Sequence, residues 1–220
     1  ADYVGRMKEG QKDIFYISGE SLDGLRTSPQ IEGLVARGVE VLLLSDPVDE
    51  FWTTTAPDYK DTPFKSATRG DIDLSGIEKA DEADEADEAK PAESGATDSL
   101  IAAFKLALGD AVQDVRVSER LTDSAVCLVA GEGGLDIHLE RLLKQQNQLK
   151  AISPRILEIN PGNGLIEILA RRAKETPADP LIEEAAHLLL DQARIIEGEP
   201  LPDPAAFSRR MTAVMEKGLA

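Results

Sequence analysis

The sequence predicts a small α/β unit followed by an α+β domain, with a strongly acidic segment between them. Strand-like and helix-like patterns alternate up to about residue 69. After residue 96 the predicted order is a helix, two strands, a helix, a strand and three helices, which gives a three-stranded sheet and a helical C-terminus. Residues 71–93 contain ten acidic residues and two lysines. We therefore expect units at 1–69 and 96–220, connected by residues 70–95.

Short β-rich runs and helical patterns follow one another in the first unit. Residues 39–44 form an apolar run except for Glu40, which is typical of a strand covered on both faces. A helix is interrupted at Ser28-Pro29, because proline lacks a backbone donor. Asp46 before Pro47 is a common helix start, with an acid as the N-cap and proline at the first helical position. The predicted strands are 14–17, 39–44 and 64–67, and the predicted helices are 22–35 and one from residue 47.

The second unit has clearer element boundaries. Asp179-Pro180 and Asp203-Pro204 each place an N-cap acid before a proline at the first helical position, and Gly198 ends the helix between them. Residues 120–124 supply a polar turn between two β-rich runs. The predicted helices cover 100–108 and 135–148 and begin near 163, 180 and 204, and the predicted strands are 112–117, 125–130 and 155–160.

The composition excludes several classes of function. A formal charge of −17 and a pI near 4.5 disfavour nucleic acids and anionic membranes as partners, because both carry negative charge. No run approaches the roughly 18 uncharged apolar residues of a membrane-spanning helix. The single cysteine, Cys127, fits a reducing, cytoplasmic compartment. With His138 and His187 as the only histidines, a Cys/His metal site is excluded.

Nearly half of the negative charge lies in the acidic segment. Residues 71–93 carry a net charge of −8, and Asp-Glu-Ala triplets repeat from Asp81 to Ala89 without apolar periodicity. Such a block cannot bury enough surface to offset the entropy of ordering. We interpret it as a solvated linker or an exposed acidic helix, with an acidic docking segment as the alternative.

The residue patterns show no convincing catalytic set. The glycine-rich turn at 131–134 lacks the spacing of a phosphate-binding motif, and Ser18 and Ser21 lack the context of a nucleophile. Asp46, Asp49 and Glu50 could ligate Mg²⁺ at the carboxyl end of a strand. Acids in a first helical turn are also favoured by the helix dipole alone. An α/β ligand-binding enzyme that uses these three acids therefore remains an alternative.

The predicted helix at 135–148 carries a leucine stripe. Leu135, Leu139, Leu142 and Leu143 are spaced to share one helical face, which makes the helix strongly amphipathic. The stripe is either a face of the core or an exposed, adaptable surface for partner proteins. The opposite side of the helix carries Asp136, Glu140, Arg141, Lys144 and Gln145.

The last two predicted helices are apolar over much of their surface. Helices of this kind must be buried on several sides, and little sequence remains to cover them. They either pack on their own domain or form an intermolecular four-helix bundle with a second copy. The residues expected at that dimer interface are Leu181, Leu188, Leu189, Ile195, Ile196, Phe207, Met211, Val214 and Met215.

Several ordered motifs resemble the 90-kilodalton heat-shock chaperone family. In the first unit they are Tyr3-Val4 together with residues 7–21, and residues 40–50. In the second unit they are residues 118–124 and 157–161, and Asp203-Pro204 with Phe207 and Arg210-Met211. The chain ends at Gly218-Leu219-Ala220 without the acidic tail of cytosolic eukaryotic members, so it resembles the bacterial branch. Partners that dock on such a tail are therefore not expected.

The resemblance implies part of an ATP-driven, homodimeric stress chaperone that assists protein folding. The chain begins at Ala1 without an initiator methionine, and we expect it to be a fragment with the end of the middle domain and the whole C-terminal dimerisation domain. No catalytic residue, cofactor or metal is expected in it; ATP and Mg²⁺ would bind elsewhere in the parent protein. The expected partners are a second copy, partly unfolded clients and other chaperones. The resemblance implies client contact by Glu50, Phe51, Thr54, Leu135, Leu139, Leu142 and Leu143.

A purely structural dimerisation module, which leaves clients untouched, remains a further alternative. The family often has tryptophan at the position of Phe51 and a polar amide at that of Thr54, so this chain departs from the usual pattern at two of the client-contact positions.

Overall fold

The first sheet has four strands in the order β2-β1-β4-β3. The structure, a computed structural model, describes residues 2–46, 48–78, 94–131 and 133–219. Strand β1 pairs in parallel with β2 and β4, and β3 and β4 form an antiparallel hairpin. The elements are β1 (Ile14–Ser18), α1 (Leu22–Arg26), α2 (Glu32–Val35), β2 (Leu42–Leu44), α3 (Asp49–Thr55), β3 (Asp58–Tyr59) and β4 (Thr62–Ser66).

Local sequence explains most of the breaks in this first unit. The Ser21 hydroxyl caps α1 by accepting a hydrogen bond from the Gly24 amide at 3.1 Å. The predicted interruption at Ser28-Pro29 is confirmed, because a 3-10 turn (Pro29–Ile31) separates α1 from α2. Strand β2 lies at the edge of the sheet with its leucines only partly buried, so the expectation of a strand covered on both faces is wrong. Pro47 lies outside the described residues, and α3 begins at Asp49.

The core of the first unit lies between the sheet and a helical layer. Phe15 and Ile17 of β1 pack against Leu25, Ile31 and Leu34 of the helical layer. Burial of such side chains contributes roughly 25 cal/mol per Å² of apolar surface. Residues after the first sheet join the same core, namely Ile72, Leu74 and Ile77. The first unit therefore extends into the predicted connecting segment, of which residues 79–93 lie outside the described part of the chain.

The predicted three-stranded sheet of the second unit is confirmed, with the order β5-β7-β6. The central strand β7 is parallel to β5 and antiparallel to β6. One face of this second sheet, with Val115, Leu128 and Leu157, is covered by Phe104 and Ile166 and their neighbours in three helices. The elements are α4 (Ser94–Leu108), β5 (Asp114–Val117), β6 (Val126–Val129), α5 (Ile137–Gln145), β7 (Ile156–Ile159), α6 (Gly164–Glu175), α7 (Pro180–Ile196) and α8 (Pro204–Leu219).

Main-chain hydrogen bonds join the two units where β4 and β6 end. Arg69 and Ala130 form an isolated parallel bridge. The Gly70 amide donates to the Ala130 carbonyl at 3.0 Å, and the Ala130 amide donates to the Thr68 carbonyl at 2.8 Å. The turn at 131–134 therefore follows a fixed point, although Glu132 itself lies outside the described residues.

The carboxylate of Glu32 in α2 binds the turn that precedes β6. It accepts hydrogen bonds from the amides of Thr122 and Asp123 at 2.9 and 3.0 Å, and from the amide and hydroxyl of Ser124. Burial raises the pKa of Glu32, but the Ser124 hydroxyl and these amides outweigh it and lower the pKa below its ordinary value. Next to it, a Cβ on Gly33 would lie 2.6 Å from the carbonyl oxygen of Arg120, so the backbones are in close contact.

Glu158 of β7 is the centre of a buried charge cluster on the face of the second sheet that meets the first unit. It accepts hydrogen bonds from Arg116 at 2.8 Å, from Arg120 at 3.0 Å and from the Ser118 hydroxyl at 2.9 Å. Cys127 lies beside it, and burial, with the charge of Glu158, raises the pKa of that thiol well above its ordinary value.

Within the described residues, no helix is long and apolar enough to cross a membrane.

Candidate functional site

A cleft of about 480 Å³ lies where α3, β4 and the start of α5 meet. Thr53 and Thr54 of α3 line one side, and Leu135 and Leu139 line the other. Phe64 of β4 also lines it. Three of the seven proposed client-contact residues, Thr54, Leu135 and Leu139, therefore line one cavity. Thr54 is about 80 positions before the two leucines in the sequence.

Helix α3 is held against β4 by its tryptophan. The Trp52 indole donates to the Asp49 carboxylate at 2.8 Å, and its ring meets that of Phe64 edge to face, with centroids 5.1 Å apart. Aromatic pairs in this geometry are favourable beyond their buried area. With Trp52 turned inward, Phe51 is 50% exposed. The backbone of Glu50 belongs to α3, but its side chain lies outside the described residues.

Asp136 fixes the start of α5 to the first sheet. Its buried carboxylate caps the helix by accepting from the His138 amide at 2.8 Å. It also accepts from the hydroxyls of Thr68, at 2.8 Å, and of Ser66. One side chain thus satisfies the free donors of a helix end and bonds to β4 and the turn that follows it.

The polar face of α5 turns inward. Glu140 is buried and accepts from the amide and hydroxyl of Ser153, at 2.9 and 2.7 Å, and from Arg155. Burial raises the pKa of Glu140, but these donors outweigh it and lower the pKa. Arg141 donates to the Glu197 carbonyl and makes little contact with solvent. Of the polar residues opposite the leucine stripe, Asp136, Glu140 and Arg141 are therefore directed into the protein.

The leucine stripe lies outside the buried apolar clusters of the described residues. Leu135 lies just before the helix and is 41% exposed. Leu139, Leu142 and Leu143 are half-buried, and none of them joins the buried apolar clusters. The apolar anchor of the helix is Ile137, at 2% exposed. The stripe is thus only partly covered by the rest of the chain.

Comparison with known proteins gives the family. The family model described as Hsp90 protein matches residues 1–220, the whole chain. This chain belongs to the Hsp90 family. The Chaperone protein HtpG of Paramagnetospirillum magneticum is 56% identical over 219 residues, which cover 100% of this chain and 35% of the relative. Those of Rhodospirillum rubrum and Rhizobium meliloti are 53% and 48% identical and cover 98% and 100% of the chain, with 34% of each relative. The chain spans about a third of the length of these relatives.

The C-terminal helices of this Hsp90-family chain differ in how far they are buried. Helix α7 packs one face into the second core, and Leu189 lies there at 4% exposed, out of reach of a second copy. Leu181 and Leu188 are half-buried. Helix α8 has no buried residue. The remaining proposed interface residues are partly or largely exposed, namely Ile195, Ile196, Phe207, Met211, Val214 and Met215.

The acids considered as Mg²⁺ ligands are used within their own turn. Asp46 accepts from the Val48 amide at 3.1 Å, and Asp49 accepts from the Asp46 amide at 3.3 Å and from Trp52. In the part of the chain that the structure describes, no group of three or more metal-ligating side chains comes together. This arrangement gives no support to the enzyme interpretation.

A smaller cavity of about 170 Å³ lies between the end of β1, α5 and the end of α7. His138 and Glu197 line it. Burial, and then the charge of Arg141, lowers the pKa of His138. Burial, with the charges of Glu199 and Asp136, raises the pKa of Glu197 to about 8. The two side chains are therefore both disfavoured in their charged forms near neutral pH.

Sequence reasoning missed the β4 residues of the larger cleft. Phe64, Lys65 and Ser66 all line it. The sequence predicted a strand at 64–67, which contains these residues. Nothing local in the sequence, however, indicates that this strand meets α5 rather than solvent.

Proposed function

We propose that this chain forms the client-binding and dimerising part of an ATP-driven, homodimeric chaperone. The observation that carries the proposal is the cleft that brings Thr54 together with Leu135 and Leu139. ATP and Mg²⁺ would bind in the rest of the parent protein, with no catalytic group from this chain. The proposed divisions are the end of a middle domain at 1–69, a connection at 70–95 whose first residues complete the core of that domain, and a dimerisation domain at 96–220.

Partly exposed apolar side chains suit binding to many unfolded sequences. Phe51, at 50% exposed, and the leucine stripe offer apolar area without a deep, shape-specific pocket. Each contact would be weak, and different clients could use different subsets of them. Because α5 is anchored through its polar face, the stripe can bind and release clients without unfolding the helix.

Helix α8 supports the dimerisation part of the proposal. A 16-residue helix without a buried side chain gains little stability from its own chain. Pairing α7 and α8 with those of a second copy would cover Ile195, Met211 and Met215 in a four-helix bundle. The dimer would hold the two ATP-binding arms of the parent at high effective concentration. Other chaperones in the cytoplasm are further expected partners.

A double substitution in the stripe tests client binding. In Leu139→Ser with Leu143→Ser, we expect the helix content to stay unchanged and the suppression of client aggregation to fall severalfold. The matched control is Leu106→Ser with Leu165→Ser, because those leucines are 87% and 48% exposed on other helices. Light scattering of a heated client measures the effect. Unchanged suppression would leave a purely structural dimerisation module as the better account, and global unfolding would show that the stripe is core.

Charges placed on α8 test the dimer. Met211→Glu with Met215→Glu should give a monomer, because two carboxylates would be buried at the interface. Ala205→Glu with Thr212→Glu adds the same charge at exposed positions about a quarter of a turn around the helix from the methionines and should leave the dimer intact. Mass by light scattering over a range of concentrations distinguishes the two states. A Met211/Met215 variant that remains as tight a dimer as the parent sequence would refute this interface.

A further inference from the structure

Five charged side chains line the larger cleft, and three of them have partners. Asp136 accepts from the hydroxyls of β4 and its following turn and from the α5 backbone, as described above. Lys65 lies 3.4 Å from the Asp71 carboxylate and donates to the Asp71 carbonyl at 2.7 Å. The two that remain are Asp13 and Arg69.

The backbone of Arg69 is held by hydrogen bonds, whereas its side chain has no polar partner among the described residues. Its carbonyl accepts from Arg120 at 2.7 Å, and the residue forms the bridge to Ala130. Its side chain is half-buried and, among the described residues, its guanidinium makes neither a hydrogen bond nor an ion pair. A partly desolvated guanidinium gains from a carboxylate, which can accept two parallel hydrogen bonds from it.

Asp13 and Arg69, which have no side-chain partner in the described part of the chain, lie at opposite ends of the cleft. Strands β1 and β4 are parallel, with Ile14 opposite Phe64. Asp13 precedes β1, whereas Arg69 follows β4, so they are separated by more than three strand residues, on the order of 10 Å. Leu135 and Leu139 lie on the α5 side of the cleft. The cleft thus has Asp13 at one end and Arg69 at the other, with the two leucines on one side between them.

We propose that Arg69 selects client segments that carry a carboxylate beside an apolar residue. The inference rests on the proposed client-binding function of this cleft. An extended segment would place its apolar side chain against the leucines and its Asp or Glu side chain on the Arg69 guanidinium. Asp13 would repel a carboxylate at the other end, so the segment binds in one direction.

Peptide binding to the complete 220-residue chain tests the proposal. Three fluorescent nonapeptides share a Leu-Phe-Leu centre and differ only in the next residue, which is Asp, Asn or Lys. By anisotropy, we expect the Asp peptide to bind about three- to fivefold more tightly than the Asn peptide and the Lys peptide to bind most weakly. The preference should shrink as salt is raised.

Two variants with the same change in charge separate a local effect from a general one. Arg69→Gln should bind the Asp and Asn peptides equally, with the affinity for the Asn peptide unchanged. Arg171→Gln, at an exposed position of α6 outside the cleft, should keep the preference. Circular dichroism confirms that both variants are folded.

The possible results separate the role of Arg69 from client binding by the cleft. If the parent sequence binds the Asp and Asn peptides alike, or if Arg69→Gln keeps the preference, the role of Arg69 is refuted while client binding stands. Loss of the preference in Arg171→Gln as well would attribute it to net charge and also refute that role. If no peptide binds the parent sequence, the proposed client-binding function of the cleft fails and this inference fails with it.

Discussion

Replacing Glu158 with glutamine removes the negative charge on which two arginines converge at the junction of the two sheets. The Glu158 and Arg120 side chains are 4% and 5% exposed, and that of Arg116 is 32% exposed. Glutamine keeps the shape of the side chain but can accept at one oxygen only. Two guanidinium groups then lack their counter-charge, and Arg120 is almost completely shielded from water.

The expected cost follows from the contacts that survive. Breaking a buried ion pair by neutralising one partner typically costs about 3–5 kcal/mol. Arg120 keeps its hydrogen bonds to the carbonyls of Ala67 and Arg69, at 2.5 and 2.7 Å, and Arg116 keeps some access to water. We therefore expect a loss near the lower limit, about 3 kcal/mol of unfolding free energy. With a urea dependence of about 2 kcal/mol per M, the midpoint would fall by about 1.5 M.

Urea unfolding at a fixed protein concentration, followed by two probes, measures this loss. Trp52 is the only tryptophan, so its fluorescence reports the first unit, whereas far-ultraviolet circular dichroism reports mainly the helices of the second. The two transitions should coincide in the parent sequence and separate in Glu158→Gln. Glu175→Gln, on the exposed end of α6, is the control. A midpoint within about 0.3 M of the parent value, equivalent to less than 1 kcal/mol, would refute the reasoning.

Three further predictions concern stability. Glu197→Gln should become stabilising relative to the parent sequence as the pH rises from 5.5 to 8.5. The folded-state pKa of Glu197 is about 8, so ionisation of this carboxyl lowers the unfolding free energy of the parent sequence over that range. Equal differences in urea midpoint at both pH values would contradict this. Gly33→Ala should lower the thermal midpoint by several degrees because its Cβ would meet main-chain atoms, whereas Gly164→Ala, with open space around it, should not. Phe104→Ala, fully buried, should cost about 3–5 kcal/mol in urea unfolding, against less than about 0.5 kcal/mol for Leu106→Ala, and similar losses at both sites would be inconsistent with the core.

The order of elements could be predicted because it depends on local patterns. Asp179 and Asn163 cap α7 and α6, and an acid before proline marks the start of α7 and α8 in the sequence. The β-rich runs became the strands of two sheets because residues near one another in sequence decide turns and strand propensity. Strand β2 was less predictable, since an apolar run does not say whether a strand lies at the centre or the edge of a sheet.

The orientation of α5 could not be predicted from its own pattern. Amphipathicity separates a polar face from an apolar face, and burying the apolar face is the usual outcome. Here Glu140 accepts hydrogen bonds from Ser153 and Arg155, and Asp136 accepts them from Ser66 and Thr68, so the first half of the polar side is buried. Those partners lie outside the helix, two of them about 70 residues away, and no local rule identifies them.

The Asp136 contacts tie the orientation of α5 to that of the first sheet. With Thr68 and Ser66 bound to the carboxylate that caps α5, the helix start cannot rotate relative to β4 without breaking short hydrogen bonds. A change in the orientation of the first sheet would therefore change the orientation of the helix axis with it. A rotation of the first sheet by a few degrees would therefore move the far end of the nine-residue helix by about 1 Å, on the scale of its 1.5 Å rise per residue.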